Sequence, residues 1–388
     1  MVSEKEGGVV RFIARDLPPL GYRTFTPGVG GSRGGVLSAD EATSTLENDR
    51  LRERLDVGRG TITSLVDKVT GRELVDGSAA YGLGQYLYER FDADQVKAFL
   101  TAYSGHHLRF PWTEGDFGKP GLPPASEVPY VAASPEGFQA RFSAGVVSAS
   151  ATMIAQASAK VPHTVALTVT LYRDMPFVDL TWAISDKKAD PWPEAGWLCL
   201  PLKIERPRFA LGRLGCVVDP SKDLVRASNH HMFYLNTGMT MTGEDSRGIG
   251  ICPIDSPLVG LDRPGLWRFS RDFVPMRPAA FVNLFNNQWS TNFVQWIEGS
   301  WTSRVRLWPV GGAGLTADLI APAWEARIGS PAFAGDGPAG ELPPARTGME
   351  FSRTGVTVTA FGSHPDGPGV VLRLWEHSGS DEPCRVRF

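Results

Sequence analysis

The sequence predicts an all-β protein built around a large antiparallel sandwich, and three observations carry that prediction. Residues 46–76, LENDRLRERLDVGRGTITSLVDKVTGRELVD, read as strand, glycine turn, strand, polar turn, strand. Further on, Val165, Leu167, Val169 and Leu171 alternate with Ala166, Thr168, Thr170 and Tyr172. Val178, Leu180, Trp182 and Ile184 alternate in the same way with Asp179 and Thr181. This period of two is that of a strand with one face in a core. Finally, 43 Gly and 30 Pro among 388 residues suit a turn-rich β protein better than a helical one.

Taken in order, Val9, Val10, Phe12 and Ile13 form a short alternating run, and residues 28–38 are a Gly-rich linker. The meander follows: Leu51 and Leu55 stand among charges, Gly58 and Gly60 turn the chain, and residues 61–66 are short and β-branched. One helix is predicted within 81–103, where Asp92 and Gln95 fit a capping box and Val96, Phe99, Leu100 and Tyr103 share a face. Residues 111–129 read as a Pro- and Gly-rich loop. Beyond it strands are predicted from Phe138 onward, including 198–204, 248–254 and 303–308. A second linker spans 331–344, and 356–361, 370–375 and 384–388 begin another β-unit. A hairpin plus one strand is too small to bury its own face, so both ends read as portions of something longer, or as awaiting strands from a partner.

The predicted organisation is therefore the end of a small β-domain with its linker over 1–40, a large sandwich over 41–330, and a linker with an incomplete β-domain over 331–388. A formal charge of −3, without a basic block, argues against nucleic acid as a partner. The polar, acidic N-terminus and the absence of a long apolar run predict neither a secretory signal nor a membrane span, and hence a cytoplasmic protein. Cys199, Cys216, Cys252 and Cys384 are too scattered for a zinc knuckle or a disulfide scaffold.

The meander, together with DLPPLGYRTF at 16–25, resembles the C-terminal half of glycoside hydrolase family 38 α-mannosidases and their relatives. What the resemblance implies is a galactose-mutarotase-like antiparallel supersandwich flanked by partial β-domains. In that family hydrolysis belongs to a preceding barrel, with a zinc site that includes a His-x-Asp pair and with an aspartate nucleophile. The His-x-Asp present here, His364-Pro365-Asp366, lies in the run FGSHPDGPG, where Pro and Gly mark a turn rather than a metal site. No catalytic residue of the family can be placed on this chain. Zinc is expected only in the missing barrel, and the expected partners are a carbohydrate and a separately encoded or missing barrel.

The richest segment for recognition is 283–301, NLFNNQWSTNFVQWIEGSW. Sugar sites combine planar aromatics, whose faces cover C–H patches, with amides that bond hydroxyl pairs. Asn287, Gln288, Trp289, Asn292 and Trp296 supply both kinds, with Asn286, Gln295 and Glu298 beside them. The opposing reading places the tryptophans in the core and sets the amides to hold loop backbone. Segments similar to NNQWSTNF lie toward the barrel-facing cleft in the family, which favours the sugar reading. Trp289, Trp296 and Trp301 cannot all share one face of a single strand, so at least one must leave it.

His230 and His231, ahead of Met232, are further candidates for that cleft. An adjacent pair on a strand points its rings oppositely and seldom chelates one metal. His106-His107 after the helix, and the single charges Arg226, Asp245, Asp255 and Asp272, read as surface or turn residues. The function predicted is a carbohydrate-facing region of an α-mannosidase-like hydrolase, incomplete as a catalyst. The alternatives are a free-standing polysaccharide lyase or mutarotase-like enzyme using Asn229, His230, His231 and Tyr234, and a structural remnant without ligand.

Overall fold

A computed structural model describes residues 3–26, 35–105, 110, 112–213, 215–225, 227–290, 292–335 and 340–388. His106, His107 and Arg226 lie outside the described residues. The chain divides into two compact units, Gly35–Gly312 and a second one made of Met1–Gly34 with Ala313–Phe388.

The first unit opens on the predicted meander: Leu37–Asp40, Thr45–Asn48, Leu51–Asp56, Thr61–Asp67 and Arg72–Glu73, paired antiparallel in sequence order. Leu51, Glu53 and Leu55 point inward while Arg52 and Arg54 point out, as a period of two requires. The turn into Thr61–Asp67 needs glycine at 60. Its φ is +60°, and a Cβ there would stand 2.4 Å from the ring of Phe138. Asn48 fastens this sheet to the next. Its Oδ1 accepts from the backbone N–H groups of Arg50 and Leu51, and its Nδ2 donates to the carbonyls of Tyr172 and Met175.

Two larger antiparallel sheets follow. The nine-stranded one runs Gln139–Ala144, Ser148–Ala155, Thr164–Tyr172, Val178–Lys187, Gly299–Val310, Gly248–Pro253, Met239–Thr242, Arg208–Arg213, Cys216–Val218. The six-stranded one runs Val131–Ala133, Gln85–Arg90, Glu194–Pro201, Ala279–Asn286, Leu258–Leu261, Phe233–Tyr234. One core joins all three sheets: Leu46 and Ile62 from the meander, Leu167, Leu180 and Leu307 from the nine-stranded sheet, Tyr86, Leu198 and Val282 from the six-stranded one. The unit is an antiparallel β-supersandwich, as predicted.

A second apolar cluster covers the other face of the six-stranded sheet. Helix α1, Ala93–Tyr103, starts at the predicted capping box, with both reciprocal bonds between Asp92 and Gln95 formed. Its Val96, Phe99 and Leu100 pack with Leu87, Trp197, Trp267 and Phe281. A second short helix, α2, Trp112–Phe117, occupies part of the segment expected to be loop.

The second unit corrects the predicted boundaries of 1–40, 41–330 and 331–388. Tyr22–Arg23 pairs with Ala345–Arg346, which brings the two ends of the chain into one unit. Local pattern carries no trace of a pairing across more than three hundred residues. The sandwich also stops before α3, Ala321–Ile328, a helix preceded by a π-helical turn at Thr316–Ile320. The hairpin Val356–Ser363 with Val370–Glu376 holds His364-Pro365-Asp366 in its turn, where His364 Nδ1 accepts from the Asp366 N–H. Among the described residues no three His, Cys, Asp or Glu side chains converge as a metal would require.

Candidate carbohydrate-facing surface

Strand Ala279–Asn286 ends inside a set of amides, and that set decides where the following residues go. Asn283 donates through Nδ2 to the carbonyls of Gly196 and Phe285, and Asn286 donates to Asn283 Oδ1 at 2.7 Å. Asn287 is 4% exposed: its Oδ1 accepts from the Glu194 N–H at 2.9 Å, and its Nδ2 donates to the carbonyls of Asp190, Trp192 and Gln295. Lys187 completes the base of the loop. Its Nζ donates to the Ile297 carbonyl at 2.9 Å and stands 2.5 Å from Glu194 Oε1, while the Tyr88 hydroxyl donates to Glu194 Oε2 at 2.5 Å. Residues 287 and 295–297 are thus tied to one buried clamp. Burial pushes the Glu194 carboxyl up, and the bonds from Lys187 and Tyr88 pull it back down.

Beyond the clamp the side chains turn outward. Trp289 is 43% exposed and Trp296 40%, with Asn292, Phe293 and Val294 exposed between them. Asn292 takes a φ of +58°, a conformation asparagine tolerates better than most residues. Trp301, by contrast, lies in strand Gly299–Val310 and packs on the core, edge-on to Phe285. The Trp289 ring meets Phe117 of α2 edge-on at 5.3 Å and Tyr103 of α1 at 6.4 Å. Trp112 extends the row past Phe117, and Phe269 extends it past Tyr103. Beside Phe269 lies a cleft of about 550 Å³ lined by Ala102, Ala227, Phe269, Ser270, Arg271 and Asp272. An aromatic row with amides and a charged cleft at its end suits a sugar ring and its hydroxyls.

The sequence candidates are not all brought together. Trp289, Asn292 and Trp296 are on the surface, and Gln288 is half-buried with its backbone N–H on Asn286 Oδ1. Asn287 is corrected: every donor of its amide is spent on backbone carbonyls, so it shapes the loop and offers a ligand nothing. His230 and His231 are corrected as well, being 9% and 6% exposed. His230 Nδ1 lies 3.1 Å from the Phe273 carbonyl, and the His231 ring stacks on Phe273 at 4.4 Å. Burial first, then Arg263 and Arg268, bring the His231 imidazole down to about 4.

Sequence reasoning missed Trp112 and Phe117, which stood in the segment read as loop, Phe269, for which no element was predicted, and the Lys187–Glu194–Tyr88 cluster. Isolated charges at strand ends carry no local signal that they will meet. A further buried acid, Glu89, lies on the outer face of the six-stranded sheet, bonded by the Tyr130 hydroxyl and Trp197 Nε1. Burial pushes it up, and those two bonds lower it.

Comparison with known proteins bears on the fold. No family model matches the chain, and no curated protein does. Its structure is similar to that of an alpha-mannosidase from Enterococcus faecalis V583, with a TM-score of 0.63, 14% identity and coverage of 92% of this chain and 39% of that one. It is equally similar to a protein in the glycosyl hydrolase family 38 from Enterococcus faecalis, with a TM-score of 0.63, 14% identity and coverage of 93% and 41%. The chain spans about two fifths of the length of each. A putative aldose 1-epimerase from Escherichia coli K12 is a more distant neighbour, with a TM-score of 0.37, 12% identity and coverage of 67% and 95%.

Proposed function

We propose that this chain is a carbohydrate-facing β-sandwich region that works with a catalytic barrel, in the manner of the α-mannosidases it resembles, and does not hydrolyse glycosides by itself. Zinc, on this reading, belongs to the barrel. The observation that carries the proposal is the outward presentation of Trp289 and Trp296 on a loop whose base is rigidly tied. Exposed tryptophans are expensive to keep in water, and a sugar's C–H face is a fitting cover for them. Half a cleft binds weakly, with dissociation constants of roughly millimolar size.

Ligand-observed NMR with mannose oligosaccharides tests this. Saturation transfer to the sugar is expected in the parent and lost in Trp289→Ala and Trp296→Ala, both of which should fold, since each ring is already about two fifths exposed. Absence of transfer in the parent, or unchanged transfer in both variants, leaves the structural-remnant reading in its place. Aryl α-mannosides are expected to survive the purified chain with zinc added, because among the described residues no three His, Cys, Asp or Glu side chains converge as a zinc site would require. Zinc-dependent turnover abolished by a substitution in this chain would refute that. The lyase or mutarotase-like alternative drew on His230 and His231, whose burial leaves it without a supporting observation.

A further inference from the structure

The segment after α2 carries a charge with no counterpart. Lys119 is 5% exposed, and its Nζ has no hydrogen-bond partner. An isolated buried ammonium is costly, and buried charges are ordinarily paired. Burial lowers the Lys119 pKa and Glu194 acts against that, yet the Glu194 carboxylate is already held by Lys187 and the Tyr88 hydroxyl. His163, which feels Lys187, is kept neutral by burial and adds no negative charge. Two buried lysines therefore share one carboxyl group, and Lys119 is the one left without a contact to it.

Lys119 also lies where the aromatic loop crosses the chain. Ser290 Oγ donates to the carbonyl of Gly118, the preceding residue, at 2.9 Å, and the ring of Phe117 meets that of Trp289 at 5.3 Å. On the other side, Asn287 of the same loop holds the backbone of Glu194. The loop thus touches both the neighbours of Lys119 and the one acid that senses it.

We propose that Lys119 receives the carboxylate of an acidic sugar whose ring lies against Trp289. The ligand class is then a hexuronate-bearing saccharide in preference to a neutral one, an assignment that rests on the saccharide-binding reading above. A carboxylate entering here accepts charge-assisted hydrogen bonds from a donor that has none, in a medium where such bonds are strong. The ammonium is covered in the unliganded chain, so entry displaces the Ser290 side of the loop.

Oligomers of mannuronate and of mannose of equal length isolate the question, since they differ only in a carboxylate or a hydroxymethyl group at C6. In NMR titrations the parent is expected to bind the uronate about tenfold more tightly or better. Lys119→Met, which removes an unpaired buried charge and keeps the side chain's length, is expected to bind both oligomers alike. Trp289→Ala should weaken both. In the parent itself, the Lys119 ¹³Cε resonance is expected to shift with the uronate and not with the neutral oligomer, a readout that needs no variant to fold. Equal binding of the two oligomers by the parent, or a preference that persists in Lys119→Met, overturns the inference while the saccharide reading stands. Binding of neither oligomer overturns both.

Discussion

The nine-stranded sheet turns one face to solvent, whereas the central strands of the six-stranded sheet are covered on both. In Thr164–Tyr172 every second residue is buried and the rest are half-exposed, while all eight residues of Glu194–Pro201 are buried. The polar groups of the two sheets consequently live under different rules. Arg306 and Arg304 pair with Asp179 and Asp255 where water reaches them, and Thr152 and Thr168 share a hydroxyl contact across the exposed face. Glu194, Tyr88 and Lys187 have no such outlet and must satisfy one another. A pair on the wet face can be broken and rehydrated, whereas a pair inside cannot.

The largest expected effect follows from that contrast. Lys187→Met leaves Glu194 buried without the cation in contact with it and frees the carbonyl of Ile297, which should cost roughly 3–5 kcal/mol of stability. Arg304→Met breaks a pair whose side chains are 56% and 33% exposed, and should cost about 1 kcal/mol or less. Urea unfolding of the two variants measures both. Equal losses would erase the distinction between the sheets. Hydrogen exchange sharpens it further: in Lys187→Met, amides at 288–296 should lose protection before those of Thr164–Tyr172 do, because the loop base depends on Nζ.

The same contrast explains what could be read from the chain alone. Alternation at 165–171 and 178–184 reports one wet face and one dry face, so both strands of the nine-stranded sheet were legible. Strand Ala279–Asn286 lacks alternation because both faces are dry, and an apolar run without a period does not declare itself a strand. The α1 capping box was legible because both of its bonds are local. At the candidate surface, spacing required only that at least one of Trp289, Trp296 and Trp301 leave the strand, and Trp289 and Trp296 lie between strands. Residue type could not separate Asn287, which spends its amide on four backbone groups, from Asn292, which stays exposed. The partners of Asn287 lie some ninety residues away in sequence or across the loop, and no pattern of period two reaches them.

The meander extends the comparison to a third sheet, through Glu53. The period of two that sends Leu51 and Leu55 inward sends Glu53 with them, opposite Leu46 and Leu65, and neither carboxylate oxygen has a hydrogen-bond partner. Burial alone raises this carboxyl from 4.5 to about 8. Between those values the unfolded chain releases a proton that the folded chain keeps, so stability is fully present below about pH 4.5 and declines as pH rises toward 8. At neutral pH the loss is roughly 3 kcal/mol, at about 1.4 kcal/mol per pH unit. Glu53→Leu should therefore flatten the stability profile between pH 5 and 8. A parent whose stability is level across that interval would show that water or a partner reaches the carboxyl after all.

The smallest expected effect at neutral pH belongs to His231, just ahead of the edge strand Phe233–Tyr234. Its ring is 6% exposed, stacks on Phe273, and has an Nδ1 without a partner. The groups that face it are Arg263, Arg268 and His230, all of which oppose protonation, as burial does. The imidazole is accordingly neutral near pH 7 and behaves as an aromatic plate. His231→Phe keeps the stack and removes an unpaired nitrogen, so its stability at pH 7 should stay within about 1 kcal/mol of the parent. The two should separate only in acid. The parent's folded-state value of about 4 lies below the unfolded 6.5, so the parent loses stability as pH falls through that interval and the variant does not. Saccharide binding should be the same in both at pH 7. A loss of binding in His231→Phe with the fold intact would put His231 back at the sugar and reopen the case for chemistry on this face.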